Sequence, residues 1–167
     1  MWAEETTAMM KRVIIKPVAG DEAGDLLRQS DDYMASLYPT ESNHLVDPDA
    51  LQGEGGRFIG AFIDDVCAGC VGVQFFKGSP SYGEIKRLYV DPAYRGKAIA
   101  SQLMAEIEHL ILARGINMVR LETGVLQKAA IGLYESLGYY HIQPFGSYLH
   151  DPLSLFMEKH LVTAAPT

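Results

Sequence analysis

The stretch 84-EIKRLYVDPAYRGKAIA-100, from Glu84 to Ala100, decides the fold. Apolar Ile85, Leu88, Tyr89 and Val90, closed off by Asp91-Pro92, predict a strand. Apolar residues at 99, 103, 104, 107, 110 and 111 keep close to the 3.6-residue period and predict a helix from about Ala98 to Ala113. Between them Arg95-Gly96-Lys97-Ala98-Ile99-Ala100 makes a cationic turn of small side chains. Free N–H groups at a helix start, aided by two cations, suit a pyrophosphate and so point to a nucleotide-bearing cofactor. The turn is not a P-loop, because GxxxxGK[ST] is absent, and the dinucleotide fingerprint GxGxxG is missing too.

Working outward, Arg12 to Val18 predicts a first strand. Asp21 to Leu37 predicts a helix whose apolar side is Leu26, Leu27, Tyr33, Met34 and Leu37. Asp47-Pro48 predicts the cap of a short helix through Leu51. Arg57 to Ile63 and Val66 to Phe76 read as hairpin strands around Asp64-Asp65, and another strand begins near Tyr82. Downstream come a strand at Met118 to Glu122 and a helix at Lys128 to Leu137 with Gly138 as its C-cap. Strands at Tyr139 to Ile142 and Leu153 to Lys159 flank a loop from Pro144 to Pro152. The order β-α-α-β-β-β-α-β-α-β-β describes a single α/β unit on a mostly antiparallel sheet. Residues 1–10 are expected to be a flexible leader, 11–162 the domain and 163–167 a tail.

A chain of 167 residues and 18.4 kDa is large enough for one domain with an ordinary core. Its net charge of −7 argues against nucleic-acid binding through a general basic surface. No apolar run approaches the ~18 residues a membrane span needs. Glu4 and Glu5 stand where a signal peptide would be basic, so a cytoplasmic protein with neither nucleic-acid nor membrane partner is expected. Cys67 and Cys70 form a CxxC, yet they fall in the outgoing hairpin strand rather than at a helix start that would activate a thiol. A zinc site wants about four ligands, no second cysteine pair exists and the five histidines lack ligand spacing, so no metal is expected.

Arg95, Gly96, Ala98 and Ala100, in strand–turn–helix context, together with Leu133-Tyr134-Glu135-Ser136-Leu137-Gly138-Tyr139, carry a resemblance to a known family. The sequence resembles the GCN5-related N-acetyltransferase (GNAT) superfamily, whose motif is Arg/Gln-x-x-Gly-x-Gly/Ala. Glu41-Ser42-Asn43-His44, Gly83-Glu84-Ile85-Lys86, Leu121-Glu122-Thr123-Gly124, Pro144-Phe145, Tyr148 and Asp151-Pro152 are similar to a bacterial branch of YsnE-type proteins. The resemblance implies a GNAT-type α/β fold: a central mixed, mostly antiparallel sheet of six to seven strands, flanked by about four helices, with splayed central strands. Ala98 departs from the glycine usual in the motif. Its methyl crowds the pyrophosphate, or is harmless if the residue has ordinary helical angles.

The resemblance further implies acetyl-CoA as acyl donor. The backbone of Leu88, Tyr89 and Val90 would bind the pantetheine arm. Arg95, Gly96, Lys97, Ala98, Ile99 and Ala100 would bind the phosphates, with Gln127, Ala130 and Tyr134 beside the arm. Glu84 is the candidate general base, because an ammonium must lose a proton before its nitrogen attacks a thioester. Pairing with Lys86 or Arg87 is the structural alternative for that carboxylate. Tyr134 is the candidate acid toward the departing thiolate, with packing as its alternative. Tyr38, Ser42, His44, Arg87, Thr123 and Tyr148 are candidates for the acceptor pocket. Arg87 would pair with an acceptor carboxylate, or else with Glu84 or Glu122. The implied activity is direct acetyl transfer to the amine of a small metabolite through a ternary complex. Acetylation of a protein N-terminus or lysine, and CoA binding without catalysis, are the alternatives. Homodimerisation is common in the family.

Overall fold

The computed structural model describes residues 12–43 and 46–162. The expected leader, the tail and His44 therefore lie outside the described residues. The strands are β1 (Ile14–Pro17), β2 (Gly56–Ile63), β3 (Val66–Phe76), β4 (Tyr82–Val90), β5 (Met118–Gly124), β6 (Tyr140–Ile142) and β7 (Ser154–His160). The α-helices are α1 (Gly24–Leu37), α2 (Ile99–Ala113) and α3 (Lys128–Ser136). They join one seven-stranded sheet of order β1-β2-β3-β4-β5-β7-β6. Among the described residues only β4 and β5 pair in parallel, with α2 as the crossover between them. Three α-helices are described where about four were expected. The Asp47–Leu51 segment is a 3-10 turn over Pro48–Leu51, begun by Asp47, whose side chain accepts from the Asp49 N–H. Four residues are too few for the i→i+4 ladder of an α-helix, so the tighter turn results.

Alternation along the strands sorts side chains to two faces. Ile59, Ala61 and Ile63 of β2, Val71 and Val73 of β3, Ile85 of β4, and Val119 and Leu121 of β5 pack against α2. The helix contributes Leu103, Met104, Ile107 and Ile111, all fully buried, as its 3.6-residue pattern predicts. Each such side chain stabilises the fold by roughly 1.5–3 kcal/mol. On the opposite face Leu26 of α1 meets Leu51, Phe58, Phe62, Cys67 and Cys70. An aromatic group of Tyr82, Phe145 and Phe156 extends the packing under the loop before β7. The β2–β3 turn holds Asp64 at φ 50° and Asp65 at φ 64°, as a two-residue hairpin whose twist matches its strands requires.

Helix α1 departs from the expected pattern. Leu26 is buried, but Tyr33 is 41 % exposed, and Ser30, not an apolar residue, takes a buried place. The reason is positional: Ser30, Tyr33 and Met34 wall an open cleft rather than meet the sheet.

Two irregularities in β4 create that cleft. Beyond Ile85, paired with Leu121, β4 leaves β5, while β5 continues along β7 to Gly124. The β3–β4 register also shifts between Cys70, opposite Tyr89, and Gly72, opposite Lys86. A bulge at Arg87, whose φ is 59°, accommodates the extra residue.

Candidate functional site

Two clefts open where β4 and β5 part. The larger, about 610 Å³, runs along the β4 end at Leu88, Tyr89 and Val90, past Tyr94–Gly96 and Ala98–Ser101, to Leu126–Ala130 and Leu133. The smaller holds about 90 Å³ beneath α1. It is lined by Tyr33, Tyr38, Ser42, Glu84, Lys86, Arg87, Glu122, Thr123 and Tyr134 among others. Tyr33, Leu88, Tyr89 and Gln127 belong to both, so the clefts meet there.

The larger cleft brings backbone N–H groups and Arg95 beside a wall that includes Tyr89, Leu126 and Leu133. Helix α2 begins after Ala98 with no side-chain cap, so its first N–H groups keep no partner inside the helix. Gly96 has φ 84° and open space around it. Ala98 sits at φ 58°, ψ 25°, in the left-handed region, which excludes the ordinary helical angles that would make its methyl costless. Such a conformation costs roughly 1–2 kcal/mol in a non-glycine residue. Arg95 stands with its guanidinium 5.9 Å from the Tyr89 ring centre, close enough to stack. Lys97, expected at the phosphates, is exposed and not part of the cleft wall. Gln127 lines both clefts, but its amide oxygen accepts from the Gly124 N–H at 3.0 Å and ties the α3 start to the end of β5. Ala130 lines the larger cleft. Uncapped N–H groups, Arg95 and a roomy glycine turn fit a pyrophosphate, and the extended cleft fits the arm beyond it.

The smaller cleft is built of side chains. Glu84, 3 % exposed, accepts a 2.6 Å hydrogen bond from the Tyr148 hydroxyl and pairs with Lys86 Nζ at 2.7 Å, both at Oε2. Lys86 Nζ also donates to the Tyr148 oxygen at 2.6 Å. Burying a lone carboxylate is costly, and these two partners offset that cost. The phenol of Tyr148 is held well above its ordinary pKa by burial, then by the Glu84 charge it donates to. Tyr148 thus reaches the site as the partner of Glu84 and Lys86 rather than as a wall.

The bulge explains why Lys86 and Arg87, consecutive residues, line the same cleft. Arg87 pairs through Nη1 with Asp31 of α1 at 2.8 Å, not with Glu84 or Glu122. Its side chain is 4 % exposed, and Nε has no hydrogen-bond partner among the described residues. A buried donor left unsatisfied costs roughly 1–3 kcal/mol, added to the left-handed backbone of the same residue.

Tyr134 is 6 % exposed and packs edge-on against Tyr139 at 5.8 Å. Burial, then the charge of Glu122, pushes its pKa well above the ordinary phenol value. It therefore keeps its proton at neutral pH. Glu122 in turn accepts from the Ser154 hydroxyl at 2.7 Å. The Tyr38 hydroxyl accepts from the Leu126 N–H at 3.1 Å and lies against Gly124, where any side chain would overlap it. Thr123 and Ser42 line the wall.

Lys86 and Glu122 line the smaller cleft without standing among the expected site residues. Lys86 was legible from its i, i+2 spacing to Glu84, which places both on one face of a strand. Glu122 carries no such local signal. Cys67 and Cys70 lie in β3 as expected, buried and free, with thiols pushed by burial to about 11 and about 12.

The sequence model of the family described as Acetyltransferase (GNAT) family matches residues 24–139. An IAA acetyltransferase from Azospirillum brasilense is 42 % identical over 141 residues, covering 84 % of this chain and 92 % of that protein. The uncharacterized N-acetyltransferase YsnE of Bacillus subtilis is 31 % identical over 149 residues, covering 88 % and 97 %. A crystal structure described as an acyl-CoA N-acyltransferase of Klebsiella pneumoniae superposes with a TM-score of 0.72 at 29 % identity, covering 92 % of this chain and 99 % of that one.

Proposed function

The chain belongs to the acetyltransferase (GNAT) family, and from that premise we propose that it transfers the acetyl group of acetyl-CoA directly to the amine of a small molecule. The observation that carries this reading is the junction of the two clefts at Leu88 and Tyr89, with Glu84 and Tyr134 both facing the smaller one. The small volume beneath α1 favours a small acceptor over a protein segment.

Arg95, Gly96 and the first N–H groups of α2 hold the phosphates, and the β4 backbone from Leu88 to Val90 orients the arm. Bound there, acetyl-CoA supplies an electrophilic thioester carbonyl and a thiol leaving group. Glu84 takes a proton from the acceptor ammonium, directly or through water, while Lys86 and Tyr148 hold its carboxylate in place. Tyr134 holds a phenolic proton at Oη, ready for the sulfur. Neither cysteine takes part, since buried thiols at about 11 and about 12 are almost wholly protonated at neutral pH.

The test is CoA release from acetyl-CoA across a panel of small primary amines. At least one amine should turn over, and Glu84→Gln should lower its kcat/KM by about 100-fold or more across pH 6–9. Turnover with unstructured peptides alone would move the assignment to a protein acetyltransferase. Full activity in Glu84→Gln would remove the base.

A further inference from the structure

We infer that Arg87 receives a carboxylate of the acceptor, which makes the acceptor an amino acid or a comparably short molecule carrying amine and carboxylate together; this rests on the acetyl-transfer reading above. The small cleft is lined by two cations and two anions: Lys86, Arg87, Glu84 and Glu122. Lys86 is committed twice, to Glu84 and to Tyr148. Arg87 is committed only in part. Asp31 takes Nη1, and Nε keeps a buried donor with no protein partner among the described residues. In a guanidinium, Nε and Nη2 form the parallel edge that grips both oxygens of a carboxylate. The donor left over is therefore of the kind an anionic planar group satisfies.

The backbone points the same way. Arg87 holds a left-handed conformation inside a strand, at the bulge that turns its side chain to the same cleft as Lys86. A glycine would hold that conformation without strain, and strain retained at a cleft marks a side chain with a task. Glu84 and Arg87 are three residues apart on β4, roughly 10 Å of strand. Both reach into a cavity of about 90 Å³. A proton acceptor and a carboxylate receptor thus line one cavity sized for a small zwitterion, its ammonium toward Glu84 and Glu122.

The test uses the full chain saturated with CoA, titrated calorimetrically with the proteinogenic L-amino acids and with the α-carboxamide of each. CoA release from acetyl-CoA is measured with the same compounds. At least one free acid should bind and react about 10- to 100-fold better than its carboxamide. Arg87→Gly, which relaxes the backbone and should still melt cooperatively, should bring that ratio to about one. Arg87→Lys, a point charge without the fork, should fall between. A wild-type ratio near one, no binding by any acid, or a ratio that survives Arg87→Gly would each overturn the inference. Acids that bind with the expected ratio yet release no CoA would leave the carboxylate site standing and sink the transfer reading instead.

Discussion

The two clefts that meet at Leu88 and Tyr89 are made of different material. The larger sets the backbone of an uncapped helix start, a glycine turn and a strand end beside a wall that includes Tyr89, Leu126 and Leu133. The smaller is side chains: Glu84 locked between Lys86 and Tyr148, and Arg87 anchored on Asp31. On the proposed reading, backbone donors set by a turn would hold the acetyl donor, and side chains set by a bulge, a helix roof and a loop would select the acceptor.

That contrast can be broken at several points. Tyr134→Phe keeps the ring against Tyr139 but removes the proton, and should lower kcat by about 10²- to 10⁴-fold with KM for acetyl-CoA unchanged. Unchanged turnover, under conditions where chemistry limits the rate, would return Tyr134 to the core. Reversing the charge of the larger cleft with Arg95→Glu and Gly96→Glu should weaken acetyl-CoA by about 100-fold or more in calorimetry, while the circular dichroism stays that of the folded chain. Gly124→Ala probes the wall of the smaller cleft. The added methyl meets the buried Tyr38 ring, and the variant should lose about 1–3 kcal/mol in denaturant unfolding. The mildest change, Ala98→Gly, relieves a left-handed residue and should raise stability by up to about 1 kcal/mol, partly offset by the freer unfolded chain. Its acetyl-CoA affinity should move little, because the N–H groups proposed to bind the phosphates remain. A very large gain would mean that the methyl obstructs the phosphates.

The scaffold was legible because its signals are local. The α2 pattern at 99, 103, 104, 107 and 111, the Asp64-Asp65 hairpin and the Arg95–Ala100 turn each need only neighbouring residues to be understood. The smaller cleft was legible only in pieces. Tyr33 and Met34 look like core residues on a helical wheel, and nothing within α1 reveals that the sheet stops short of them. Alternation alone would send Arg87 to the α2 face, and a one-residue bulge leaves no local mark in a strand of mixed residues. Tyr148 meets Lys86 across 62 positions of sequence, a contact that periodicity cannot supply. The status of Ala98 turned on a backbone angle, which the residue type leaves open.

Direct transfer across the junction of the two clefts is the central claim, and initial velocities with acetyl-CoA and the best amine both varied test it most directly. A double-reciprocal plot with intersecting lines is the predicted result, because donor and acceptor must occupy their clefts together. Parallel lines would contradict it. They would require an acetyl group held on the protein between two half-reactions, a role for which neither buried cysteine is activated.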